Sequence, residues 1–190
     1  MKLIPLFLLV GMLAVSGWAE EYGIEPYSPE LVKKAEAGDA IAQRSLGRYY
    51  EHGNGVKINK EECLVWYTKS AEQGNPEAQY DLHNHYSIKA NEYIQTTDNL
   101  PRIEEARKIA DEWCLKAANG GNRYAQLQLA SKYFYKSRSK GAARIEELEE
   151  AKKWYTKAAE GGYKQAEKMA SNCEFDIQKI QRQLKTTKSK

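Results

Sequence analysis

The stretch Trp66-Tyr67-Thr68-Lys69-Ser70-Ala71-Glu72-Gln73-Gly74 returns as Trp154-Tyr155-Thr156-Lys157-Ala158-Ala159-Glu160-Gly161-Gly162, and the two together decide the fold. In each, Trp stands eight residues before the final Gly and Ala three before it. Trp113, Ala118 and Gly121 keep the same spacing. Self-similarity at this period marks stacked supersecondary units, each unable to bury its apolar face alone. Small residues one turn before each Trp (Cys63, Ala110 and Ala151) leave a recess that an indole can occupy. The Trp row is therefore expected inside, with Trp113 buried between the second and third units. The Gly that closes each stretch suits a helix C-cap, where φ > 0 is usual.

Working outward from these glycines, Ala42, Leu46 and Tyr50 lie four apart, as do Ala78, Leu82 and Tyr86, and Ala125, Leu129 and Tyr133. That spacing puts each trio on one helical stripe, so every unit is a pair of helices. The units run over 38–74, 74–121 and 121–162. In the first, Gly53-Asn54-Gly55-Val56 turns the chain compactly. In the other two, Ser87–Leu100 and Lys136–Arg144 read as lengthened turns. Half-units close the ends. Ser28-Pro29 is an N-cap and first-turn pair for a short helix ending at Gly38. Ala166, Ala170, Cys173, Ile177, Ile180 and Leu184 form the stripe of one amphipathic capping helix over 163–184.

The succession Ala37-Gly38-Asp39, Ala42-Gln43, Leu46-Gly47, Tyr50, Gly53, Gly55-Val56, Trp66-Tyr67, Lys69, Ala71-Glu72, Gly74 resembles a Sel1-like repeat, a family related to the tetratricopeptide repeats. The likeness covers roughly residues 30–172. It departs from the pattern at His83 and Ala130, which stand where the first unit has Gly47, and in the two lengthened turns. The resemblance implies an all-α fold, a right-handed α-solenoid (α-α superhelix) over 29–184. It also implies an adaptor or inhibitor surface rather than an activity, with no cofactor.

Met1 to Ala19 reads as a secretory signal. Lys2 precedes an apolar run from Leu3 to Val15, and Gly17-Trp18-Ala19 supplies small residues for cleavage after Ala19. The expected location is periplasmic or secreted, with 20–28 as a short extension. The apolar run is short for a bilayer span, and no second one follows, so no stable membrane insertion is expected once the signal is cleaved. The formal net charge is +3. Lys179, Arg182, Lys185, Lys188 and Lys190 sit in 177–190 without a carboxylate, so the rest of the exported chain is net negative. That balance argues against a nucleic-acid partner. The tail 185–190 reads as a solvated helix end. Three cysteines permit one bridge with one thiol left over. Cys63 and Cys114 are the candidate pair, although helices stacked about 8–10 Å apart with a one-turn offset would miss the Cα separation of about 7 Å that a bridge needs. Cys173 reads as a buried thiol.

No residue is assigned to catalysis, to a cofactor or to a metal. Ser137-Arg138-Ser139-Lys140 matches the S-x-x-K acylation motif, but its companion elements are missing and it lies in a Lys-rich insertion. His83 and His85 are two apart on a helix, so they diverge and do not form an i, i+4 metal pair; His52 is the third histidine. Gly53-Asn54-Gly55 follows no strand, which argues against a phosphate loop.

First helices in such a solenoid are expected to line the concave side. Residues just off their stripe are the candidate partner-binding set: Arg44, Arg48, Tyr80, Asn84, Leu127 and Ser131, joined by Lys168 and Asn172 at the cap. Tyr93, Arg138 and Lys140 in the lengthened turns complete the set. Arg, Tyr and an apolar residue together are interface-like. The expected function is non-enzymatic binding of a protein partner, neutralising or regulating it in the periplasm. From the resemblance, an immunity protein against a toxic effector of a rival bacterium fits that description. A scaffold of envelope assembly or signalling, docking on an envelope protein, is the second class, and a cell-wall or β-lactam-active enzyme the third.

Overall fold

The structure, a computed structural model, describes residues 26–96, 99–138 and 144–188. The signal segment and Lys140 lie outside them. Among the described residues eight helices follow one another: α1 (Pro29–Glu36), α2 (Ala40–His52), α3 (Lys60–Glu72), α4 (Pro76–Thr96), α5 (Leu100–Asn119), α6 (Arg123–Lys136), α7 (Arg144–Glu160) and α8 (Gln165–Lys188). The described residues are all-α, without a strand. None of these helices is long and apolar enough to cross a membrane. The chain forms two compact units, one through Leu82 and one from His83.

The helix borders follow from side-chain chemistry at the repeat glycines. Asp39, Asn75 and Asn122 each follow a turn Gly, and each side chain accepts a hydrogen bond from the backbone N–H of Ala42, Ala78 or Ala125, at 2.7, 2.8 and 3.0 Å. These are N-caps, satisfying a donor that the first helical turn leaves open. Gly38, Gly74, Gly121 and Gly162 all have φ of 90–100°, a region that a Cβ disfavours. A second polar bond repeats with the caps. Gln43, Gln79 and Gln126 donate through Nε2 to the carbonyls of Ala35, Ala71 and Ala118, at 3.0, 3.0 and 3.1 Å. Each of these carbonyls also accepts from the turn Gly N–H, so both lone pairs are used. The Gln thus staples the start of one helix to the end of the one before it. At the fourth turn Tyr163 replaces the capping residue and an exposed Glu167 the Gln, and the pattern stops.

In the first unit α1 packs on α2 and α2 on α3. Leu31, Ala35, Ala42, Leu46 and Tyr49 form a buried cluster, with Val32, Tyr50, Val56 and Trp66 against it. The stripe is slightly rotated from its expected place, since Tyr49 is fully buried and Tyr50 only partly. In the second unit α5 packs on α6, α6 on α7 and α7 on α8. Ala166, Cys173 and Ile177 bury the inner face of α8, whereas Leu184 is exposed.

The Trp row is not the interior row. Trp66 and Trp113 are half-buried, and of the three only Trp154 is enclosed, at 4 % exposure. In the first two repeats the interior position lies one residue later, at Tyr67 and Cys114, and in the third Trp154 and Tyr155 are both buried. Tyr67 lies against Gly47 of α2, which turns the preceding indole toward the rim. There a lysine three residues on covers each ring. Lys69, Lys116 and Lys157 place Nζ 4.0, 4.1 and 4.5 Å from the ring centroids of Trp66, Trp113 and Trp154, close enough for cation–π attraction.

The first lengthened turn is also corrected, and most of the second, 139–143, lies outside the described residues. Ser87–Leu100 is mostly helix: α4 continues to Thr96, and Asn99 caps α5 by accepting from Arg102 N–H at 3.4 Å. The insertion lengthens both helices of the pair instead of their connection. Of Lys136–Arg144, Lys136 still belongs to α6 and pairs with Glu147 on α7. The Cys63–Cys114 bridge is absent from the structure, in which all three cysteines are buried free thiols. Cys114 points within its own unit, its Sγ 3.7 Å from the Ala125 carbonyl.

Candidate protein-binding surface

Of the candidate partner-binding residues, Arg44, Arg48 and Tyr80 belong to the first unit, where α2 carries the two arginines one turn apart. Arg44 does not stand free. Its Nε donates to Asp81 Oδ2 on α4 at 2.7 Å, and each side chain of the pair is only 14 % exposed. Burial holds the Asp81 carboxyl above its usual range, against the pull of Arg44 and of the nearby Arg48. Next along α2, Glu51 accepts a 2.7 Å hydrogen bond from Tyr67 Oη. Burial, with Asp81 and Glu51 close by, pushes the Tyr67 phenol far up, so it remains a donor. The result is a strip of alternating charge, with Arg44, Arg48, Asp81 and Glu51 anchored on Tyr67 and flanked by the half-buried Tyr80. Asp81 and Glu51 were not among the expected residues. The available signal was a carboxylate between the buried Ala78 and Leu82, where the first unit has Ser45.

In the second unit the candidates divide. Asn84 and Leu127 are half-buried on α4 and α6. Ser131 is hydrogen-bonded to Tyr155, whose phenol is raised mainly by burial. Tyr93 lies on helix α4, beside a shallow groove of about 440 Å³ lined also by Tyr86, Lys89, Arg102 and Glu105. Lys89 Nζ sits 6.0 Å from both tyrosine rings. Arg138 is exposed at the end of α6, its guanidinium 5.8 Å from the Tyr135 ring.

The residues with chemical potential have structural duties. Ser137 is buried as the C-cap of α6, and its Oγ donates to the Phe134 carbonyl at 2.7 Å. His83 is buried, and its Nδ1–H donates to the Ala110 carbonyl at 2.9 Å. It also explains the departure from the repeat at this position. In the first unit Gly47 lies against Tyr67, so closely that a Cβ there would come within 2.6 Å of the ring. In the second unit the large residue is on the first helix, His83, and the opposing row carries the small Cys114. Cys114 is held at about 11 and Cys63 at about 12, both mainly by burial.

The Sel1 repeat family matches residues 40–75 and 123–163, the first and third helix pairs. A Sel1-like repeat-containing protein of Acanthamoeba polyphaga mimivirus is 31 % identical over a stretch covering 58 % of this chain and 24 % of the viral protein. The chain thus spans about a quarter of that relative's length. Among solved structures, a Sel1 repeat protein from Oxalobacter formigenes superposes with a TM-score of 0.56 at 28 % identity, covering 75 % of this chain and 96 % of the other. The protective antigen c5321 of uropathogenic Escherichia coli, which displays the same repeat fold, gives 0.53 at 30 % identity, covering 77 % and 28 %. Capped helix pairs stapled by Gln and turned on Gly, together with these likenesses, show that the chain carries Sel1 repeats over those two stretches and has the all-α solenoid fold that the solved Sel1-repeat structures display.

Proposed function

We propose that this chain is an exported, non-catalytic protein-binding repeat protein that neutralises or regulates a partner in the periplasm. An immunity role against a delivered toxic effector is the form of that reading we favour. One observation carries the binding reading: Arg44, Arg48, Tyr80 and Asp81 form one strip on the first helices α2 and α4, tied by the Arg44–Asp81 pair. Pre-positioned Arg and Tyr are the residue types that most often anchor interfaces. The apolar run Leu3–Val15 behind Lys2 supports export.

The variant chosen to test binding must spare the fold. Arg44→Ala would leave the buried Asp81 without its ion-pair partner and confound stability with binding. Arg48→Ala with Tyr80→Ala removes anchors while leaving the Arg44–Asp81 pair in place. Affinity capture from envelope extracts should return a protein partner whose affinity falls by at least about 2 kcal/mol in that double variant. Normal binding by the double variant, with an unchanged melting temperature, would move the interface off this strip. Recovery of the chain only from the cytoplasmic fraction would remove the periplasmic half of the reading.

A further inference from the structure

Helix α8 has two unlike faces. Ala166, Cys173 and Ile177 are buried on one. On the other, Lys168, Phe175, Lys179 and Arg182 follow at spacings of seven, four and three residues, with Lys185 one turn further. All five are exposed. Phe175, at 67 %, is the most exposed large apolar side chain among the described residues. Other lysines of this unit are neutralised: Lys132 by Asp111, Lys136 by Glu147, Lys152 by Glu174 and Lys153 by Glu150. Among the described residues, Lys168, Lys179, Arg182 and Lys185 have no ion-pair partner. Of the carboxylates on α8, Glu174 is engaged by Lys152 and Gln178, and Glu167 and Asp176 lie beside the row. From Gln181 through Thr186 every side chain is exposed, so the last turns of the helix stand clear of the core.

We infer that this face of α8 docks on an anionic lipid surface. The four cations extend over about 25 Å of helix on its solvent-exposed side. A plane of anionic headgroups meets such a row at once, whereas an acidic protein would need a complementary ridge to do so. Each basic side chain near an anionic bilayer strengthens binding about fivefold. Phe175, in the middle of the row, is placed to enter the headgroup boundary, as aromatic residues do on basic interfacial helices. The core-facing stripe of α8 is occupied by α7, so the attachment is peripheral, reversible and salt-sensitive. It does not depend on the protein partner proposed above.

The test is co-sedimentation of the whole chain with phosphatidylcholine vesicles and with vesicles that also contain phosphatidylglycerol. The apolar N-terminal run would bind both compositions alike, so the quantity read is the excess on anionic vesicles. That excess should disappear at high salt. It should fall at least about tenfold in K168Q/K179Q/R182Q/K185Q and severalfold in Phe175→Ser. A control, K33Q/K57Q/K60Q/K108Q, loses the same charge from exposed sites elsewhere and should keep the excess. Far-UV circular dichroism checks that each variant remains helical. No anionic excess, an excess that survives salt, or an equal loss in the control overturns the inference. Capture of polyglutamate through α8 without vesicle binding would also overturn it, pointing to an acidic protein segment.

Discussion

At the scale of single residues, the repeat is a record of which side chains must be small. Gly47 is one, because a Cβ there would strike the Tyr67 ring, which is 1 % exposed and tied to Glu51. Gly47→Ala gains about 1 kcal/mol of helix propensity, but overpacking a core typically costs about 1–3 kcal/mol. Urea unfolding should therefore show a net loss, and Gly47→Ala with Tyr67→Leu should recover most of it. A stabilised single variant would mean that the ring moves aside freely. The indoles obey a different rule. Trp154 is enclosed, so Trp154→Ala should cost about 3–5 kcal/mol. Trp113 is half-buried under Lys116, and Trp113→Ala should cost distinctly less. Equal losses would mean that the exposure of the Trp113 ring has been misjudged. The sequence displays the Trp spacing plainly, yet after Trp66 and Trp113 it is the next residue that is interior. A helical stripe can be read only to within about one position when large aromatics occupy adjacent sites, as they do at Trp66-Tyr67 and Trp154-Tyr155.

At the scale of elements, the turns were the most legible feature and the insertions the least. Ser28, Asp39, Gly38, Gly74, Gly121 and Gly162 announce helix ends by local chemistry, and the structure places ends there. The stretch 87–94 holds few strong breakers, and without a tertiary partner in view its polar residues read as a turn. In the structure it carries two further turns of α4. The Gln staple was visible as Ala42-Gln43, Ala78-Gln79 and Ala125-Gln126, but its purpose depends on a carbonyl eight residues earlier. Removing Gln126 Nε2 leaves the Ala118 carbonyl with the Gly121 N–H. Gln126→Ala should therefore cost only about 1 kcal/mol, the net worth of one buried hydrogen bond. Gln126→Glu should cost more, because a buried carboxylate cannot donate to that carbonyl unless it is protonated. Equilibrium unfolding at neutral pH separates the two. If Glu is tolerated as well as Ala, the staple does not hold in solution.

At the scale of the whole molecule, the interior is apolar enough to keep three thiols protonated, and that makes stability depend on pH in a definite direction. Burial lifts Cys63 from the usual 9.0 to about 12, and Cys114 and Cys173 to about 11. In the unfolded chain the same thiols ionise near their usual value, so above about pH 9 the unfolded state binds fewer protons than the folded one. The contribution of each thiol is complete below pH 9 and is lost as pH rises toward 11–12, at up to about 1.4 kcal/mol per pH unit. Tyr67, raised in the same direction, adds to the slope. The sequence located these cysteines near the repeat core, whereas the candidate partner residues were legible only as departures from a pattern. A partner leaves no periodic trace in the chain it binds. It follows that urea midpoints should drop between pH 8 and pH 10.5, and that Cys114→Ala with Cys173→Ala should flatten the drop. A thiol reagent at pH 8 should react at the unfolding rate and release three equivalents only once the chain is denatured. Rapid labelling of any one thiol in the folded protein would show that its burial is incomplete, and the alkaline slope would then be shallower by that residue's share.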